Sequence, residues 1–319
     1  MVRLADILLS YEVIINLFVQ IVLLLFLSVA FFQTLYILKN YTKDAQTQLQ
    51  YSLEKRSYLV LSIINLALLV KLMLLPFFTY TLNELSNIIP GAMCGAGVIS
   101  ANVYGEPLIL LKIFLVIASM LWLRLNYEDL QSKNFKYFQK KMWFFSFIYI
   151  FMLLETLLEL LYFINLTTLN PVSCCSSIYT TSNTDFLPLN LSVTALIVSF
   201  YIIYILIILS ALFKKRYILL PLSILFTYTS YLSIVYFFST YVYQLPTHKC
   251  PYCLLQSDYY YIGYLIFFSF IMGLFYSISS FVFKFEQNTF KYITIFFSLF
   301  VFFASINFWL YLIINGTFL

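Results

Sequence analysis

The residues best suited to chemistry in this chain are sulfurs. His248-Lys249-Cys250-Pro251-Tyr252-Cys253 sets two thiols three positions apart, with an imidazole two residues ahead of the first. Cys94 stands in a stretch holding four of the seven glycines, and Cys174-Cys175 form an adjacent pair in a third stretch. A Cys-x-x-Cys pair exchanges with disulfides through whichever sulfur is ionised, and thiols beside an imidazole are also the ligands of soft metals. Three chemistries follow. Thiol–disulfide redox makes Cys250, Cys253, Cys94, Cys174 and Cys175 the candidate catalytic residues. Metal binding puts Cu(I), Zn(II) or mercury on His248, Cys250 and Cys253, and needs the Cys94 and Cys174-Cys175 loops to converge on the same point. The third is structural stapling: five cysteines close at most two bridges and leave one thiol over, a surplus more useful to exchange than to a scaffold. Covalent haem attachment would need a histidine after the second cysteine, where the chain has Leu254.

The local pattern suggests how such a pair is positioned. Pro251 suits the first position of a helix, where its missing N–H is no loss, so Cys250 is expected to cap the helix that follows. Unpaired N–H groups and the positive end of the helix dipole would then favour the thiolate of Cys250, aided by Lys249 and His248. Cys253, one turn on, becomes the resolving thiol. Tyr259, Tyr260, Tyr261 and Tyr264 follow, and of these Tyr260 and Tyr264 are candidates to line a quinone pocket. Tyrosines at a helix end also serve as an interfacial belt.

The elements that must carry these loops belong to a membrane. Of 319 residues 63% are hydrophobic and only 10% charged, against about a quarter charged in a soluble domain. Runs long enough to cross about 30 Å of hydrocarbon recur throughout, at about 12–38, 57–79, 107–123, 142–165, 191–213, 217–243, 259–283 and 291–314. The chain therefore reads as one all-α, polytopic membrane domain of eight helices over residues 1–319. Fourteen of its eighteen basic residues fall in alternate connections, which the positive-inside rule assigns to the cytoplasm. Both termini and every cysteine are then expected outside, in the periplasm of a bacterial inner membrane, where disulfides are the default state of thiols. No cleavable leader is visible in residues 1–11, and no internal repeat. The net charge of +5 is accounted for by the loop lysines and arginines, so no nucleic-acid partner is implied. Phe and Tyr number 35 and 28, too many for interfacial anchors alone, and a compositional bias accounts for them.

Four ionisable groups fall inside spans: Lys71, Lys112, Glu155 and Glu159. Counted at about 1.5 Å per residue, all four reach the outer third of the membrane on the second, third and fourth helices. An unpaired charge there costs at least about 2.5 kcal/mol. The four are therefore expected to form one buried ion-pair cluster, serving as a structural clamp or as a proton relay.

Cys250-Pro251-Tyr252-Cys253 is identical to the active-site tetrad of glutaredoxins, although no segment here supplies their soluble sheet-and-helix domain. Its setting resembles the membrane thiol oxidoreductases of the vitamin K epoxide reductase and DsbB type, over about fifteen residues. That resemblance implies a Cys-x-x-Cys exchanging electrons with a quinone at the outer end of a helix. A second cysteine pair would receive them from a periplasmic, thioredoxin-like partner. The non-enzymatic alternative is an accessory subunit that presents stapled loops to a larger membrane complex.

Overall fold

The structure, a computed structural model, describes residues 7–41, 47–132, 137–168, 171–173, 192–283 and 287–319. Among these residues there are helices and turns and no strands, and eight helices are long and apolar enough to cross a membrane. They are α1 Tyr11–Asn40, α2 Gln48–Leu85, α3 Gly105–Gln131, α4 Phe138–Ile164, α5 Val193–Leu212, α6 Arg216–Tyr243, α7 Ile262–Val282 and α8 Gln287–Asn315. Local caps explain some of the starts. Thr47 accepts from the Gln50 N–H at 3.2 Å ahead of α2, and Ser192 accepts from Ala195 at 3.1 Å ahead of α5, each satisfying an N–H with no partner inside its helix.

Some helices outrun their apolar stretches. The second begins at Gln48, so Lys55 and Arg56 are helical rather than in a connection, and α3 runs on to Gln131. Hydropathy measures how far a helix can sit in hydrocarbon, not where its hydrogen bonding ends. The fourth helix likewise starts ahead of its apolar stretch, at Phe138, so Lys141 is helical and not in the basic connection. Lys141 is buried on α4 with its Nζ 2.7 Å from Asp129 Oδ2, while the Trp122 indole donates to the Lys141 carbonyl at 2.8 Å. Burial of this lysine requires that partner.

The helices cluster into two compact units, Met1–Pro90 with Ile99–Asn170, and Gly91–Val98 with Pro171–Leu319. In the first, α1 packs on α2, α2 on α3, α3 on α4, and α4 back on α1, closing a four-helix ring. In the second, α5 to α8 close the same kind of ring in the same order.

The centre of the second unit is aromatic. Phe200 of α5 stacks on Phe226 of α6 at 5.2 Å between ring centroids, and Phe226 meets Phe297 and Phe300 of α8 at 5.4 and 5.7 Å. Phe270 of α7 lies 4.9 Å from Phe300. One or more phenylalanines from every helix thus meet in the core, so packing explains part of the abundance that composition alone left to bias. Such pairs are worth about 0.5–1.5 kcal/mol beyond their buried area.

Candidate functional site

The sulfur site lies within the second unit and is built from two segments. One is Gly91–Val98. Gly91 has φ +84°, and a Cβ there would run into the Val172 carbonyl oxygen, so only glycine allows the chain to turn here. The turn delivers Cys94 to the start of the one-turn helix Gly95–Ile99, where its carbonyl accepts from the Gly97 N–H at 3.1 Å.

The other segment joins α6 to α7. A π turn at Ile234–Phe238 inserts a residue into α6 and re-aims its last turn, Ser239–Tyr243. Gln244, at φ 52°, then breaks the helix, and Pro246 follows. From that last turn the Tyr243 hydroxyl donates to the Cys250 carbonyl at 2.5 Å. The Tyr243 ring lies 4.5 Å from both the His248 and Tyr259 rings, so one side chain orients the whole loop. Cys253–Leu255 make a single 3-10 turn, and Leu254 packs against Gly263 so closely that a Cβ on Gly263 would sit 2.8 Å from the Leu254 backbone. The two segments are tied directly, as Gln256 Nε2 donates to the Met93 carbonyl at 2.9 Å.

This geometry corrects the expected helix cap. Cys250 does not start the following helix, because α7 begins at Ile262, after two 3-10 turns. Tyr260 and Tyr261 both lie in the left-handed region, at φ 53° and 54°, a strained conformation for bulky residues that costs about 1–2 kcal/mol each. Their aromatic character made them look like part of the span. The N-terminus of α7 is therefore not at Cys250. Tyr260 is 93% exposed, and Tyr264 faces Tyr261 at 6.2 Å.

What the loops bring together is a compact set of soft donors. Cys94 Sγ and Cys250 Sγ are 3.5 Å apart, His248 Nε2 is 3.3 Å from Cys253 Sγ, and the three sulfurs all lie within 4.8 Å of one another. The three cysteines are buried, at 0–2% exposure. Cys174 and Cys175 lie outside the described residues.

The charged residues meet in the first unit. Glu155 Oε1 accepts from Lys71 Nζ at 2.6 Å and from Lys112 Nζ at 2.8 Å, and Lys112 also reaches Glu159 Oε2 at 2.9 Å. Lys112 Nζ further sits 4.4 Å from the centre of the Phe78 ring. Two amides from α1, not anticipated from the sequence, complete the network. Asn16 Nδ2 donates to Glu159 Oε1 at 2.8 Å, and Gln20 bridges Lys71 (2.9 Å), Glu155 (3.2 Å) and Thr156 (3.0 Å). The signal that would have found them is a polar residue every fourth position in the otherwise apolar first ten residues of α1: Glu12, Asn16, Gln20.

No family model, characterised protein or solved structure matches this chain.

Proposed function

We propose that this multi-pass membrane protein binds one soft metal ion, Zn(II) or Cu(I), through Cys94, Cys250, Cys253 and His248. The observation that carries the reading is the convergence of three thiols from segments 156 residues apart, with the His248 Nε2 3.3 Å from one of them, Cys253. Tetrahedral zinc with Zn–S bonds of about 2.3 Å sets its sulfurs about 3.8 Å apart, and the Cys94–Cys250 separation of 3.5 Å needs little adjustment to match it. Three thiolates and a neutral imidazole leave Zn(II) with net charge −1 and Cu(I) with −2. A buried site favours the smaller residual charge, and four donors suit Zn(II). Four protein ligands leave no open position for a substrate, which supports a holding or clamping role for the ion. The alternation of basic connections supports placing the site on the non-cytoplasmic side.

The test is metal analysis of protein purified anaerobically without chelators. The expected result is close to one zinc or copper per chain, lost in Cys94→Ser and in Cys250→Ser. Metal-free wild type with intact thiols would count against the reading.

One contact favours thiol–disulfide redox as a second reading. Cys94 and Cys250 could close a disulfide by a small approach of their sulfurs, giving two protons and two electrons to a quinone that leaves as quinol. Cys253 would then attack Cys250 and release Cys94. Burial of all three thiols weighs against it, since exchange with a partner needs an accessible sulfur. Alkylation trapping separates the two readings: a mixture of oxidised and reduced forms in membranes supports redox, and uniformly reduced, metal-protected thiols support the metal.

A further inference from the structure

The first unit holds a polar constellation that metal binding does not use. Glu12, Asn16 and Gln20 recur at four-residue spacing on α1, and all three are buried. That spacing puts them on one helix face, as a stripe about 12 Å long leading inward from the first turn. Beyond Gln20 the face continues as Leu23 and Leu27, members of the apolar core. The polar route therefore enters where α1 begins and ends at the ion cluster.

Two further observations point to an exchanging occupant. Asn16 Oδ1 is fully buried and has no hydrogen-bond partner among the described residues. A cavity with room for about one water touches the cluster at Lys71, at the inner end of the stripe beside Gln20 and Thr156, its other walls being Leu23, Leu24, Leu27 and Met152 and not Asn16 or Glu159. The two carboxylates of the cluster are also unequal. Glu155 faces two ammonium groups at 2.6 and 2.8 Å, whereas among the described residues Glu159 pairs with Lys112 alone, at 2.9 Å, and shares it with Glu155. Both carboxylates touch the stripe, Glu155 through Gln20 at its inner end and Glu159 through Asn16, nearer the start of α1.

We propose that the first unit contains a proton-exchange site, with Glu159 taking up and releasing a proton carried by water along Glu12 and Asn16. A hydronium ion arriving from bulk solvent would give its proton to a carboxylate oxygen of Glu159 and leave as water. The cluster passes from net charge zero to +1, and no electron moves. The groups facing Glu159 are Asn16 from α1, Lys112 from α3 and Glu155 on its own helix, with Lys71 of α2 behind Glu155. Lys112 keeps its contact with Glu155 in both states, so the network survives the exchange.

Infrared difference spectroscopy on the full chain in lipid vesicles tests this. The expected result is a protonated-carboxyl band that grows on acidification and disappears in Glu159→Gln, which keeps an oxygen acceptor for Asn16. In Asn16→Leu the band remains, but its shift in heavy water develops more slowly. Should Glu159→Gln fail to fold, judged by its circular dichroism, Glu159→Asp must move the band to the aspartate position. A band absent at every pH, or one indifferent to both Glu159 variants, would make the cluster a permanent ion pair and overturn the proposal. The metal content of the protein does not enter the measurement.

Discussion

The two units close the same ring of four helices around opposite kinds of centre. In the first, every helix contributes a charged or amide group: Asn16 and Gln20, Lys71, Lys112, and Glu155 with Glu159. In the second, every helix contributes phenylalanine, from Phe200 to Phe300. Lipid is as apolar as the aromatic core, so association of helices in a membrane rests on packing and on polar contacts more than on hydrophobic exclusion. An aromatic centre fills space and tolerates a change of shape. A charged centre does not, because each group is acceptable there only while its partners remain. The sulfur site belongs to the tolerant unit, and its own rigidity comes from the loop, through Tyr243, Gly263 and Gln256.

The sharpest way to break this contrast is Glu155→Ala, which strips Lys71 of its carboxylate and leaves Lys112 with Glu159 alone. A loss of about 3–5 kcal/mol is expected in reversible unfolding from bicelles, and a loss near zero would mean the charged centre is no clamp. Phe226→Met in the other ring gives up the ring contacts with Phe200, Phe297 and Phe300 but strands no charge, and should cost about 2–3 kcal/mol in the same assay, less than Glu155→Ala. If it costs as much as Glu155→Ala, the two centres do not differ in tolerance. Gly263→Ala pushes on the Leu254 backbone and should cost about 1–3 kcal/mol while weakening metal retention. An unchanged metal content would show that the Cys253 turn moves without cost to the site. Tyr243→Phe removes the hydrogen bond to the Cys250 carbonyl and should cost about 0.5–1.5 kcal/mol, with faster loss of metal to a chelator.

Much of the fold was legible because membrane spans are written in length and hydropathy: the structure has eight helices long and apolar enough to cross, and most of their ends fall within a few residues of the expected positions. The charged quartet was legible for a related reason, since a lysine or glutamate inside a span must find a partner. Asn16 and Gln20 escaped because amides carry no formal charge, and Asp129 because α3 outlasts its apolar stretch. The grouping of helices into two rings leaves no trace in hydropathy, which counts spans without pairing them. Cys94 meeting Cys250 is a contact across 156 residues, set by the turn at Gly91 and the π turn in α6. The helix cap expected at Cys250 was displaced by Tyr260 and Tyr261, whose apolar rings read as span while their backbone turns left-handed.

X-ray absorption at the metal edge of the purified, metal-loaded protein tests the central claim most directly. The account predicts three sulfur neighbours at about 2.3 Å and one nitrogen at about 2.0–2.1 Å for zinc, with one sulfur lost in Cys94→Ser. A spectrum of oxygen and nitrogen neighbours only, or one unchanged by Cys94→Ser, would contradict it.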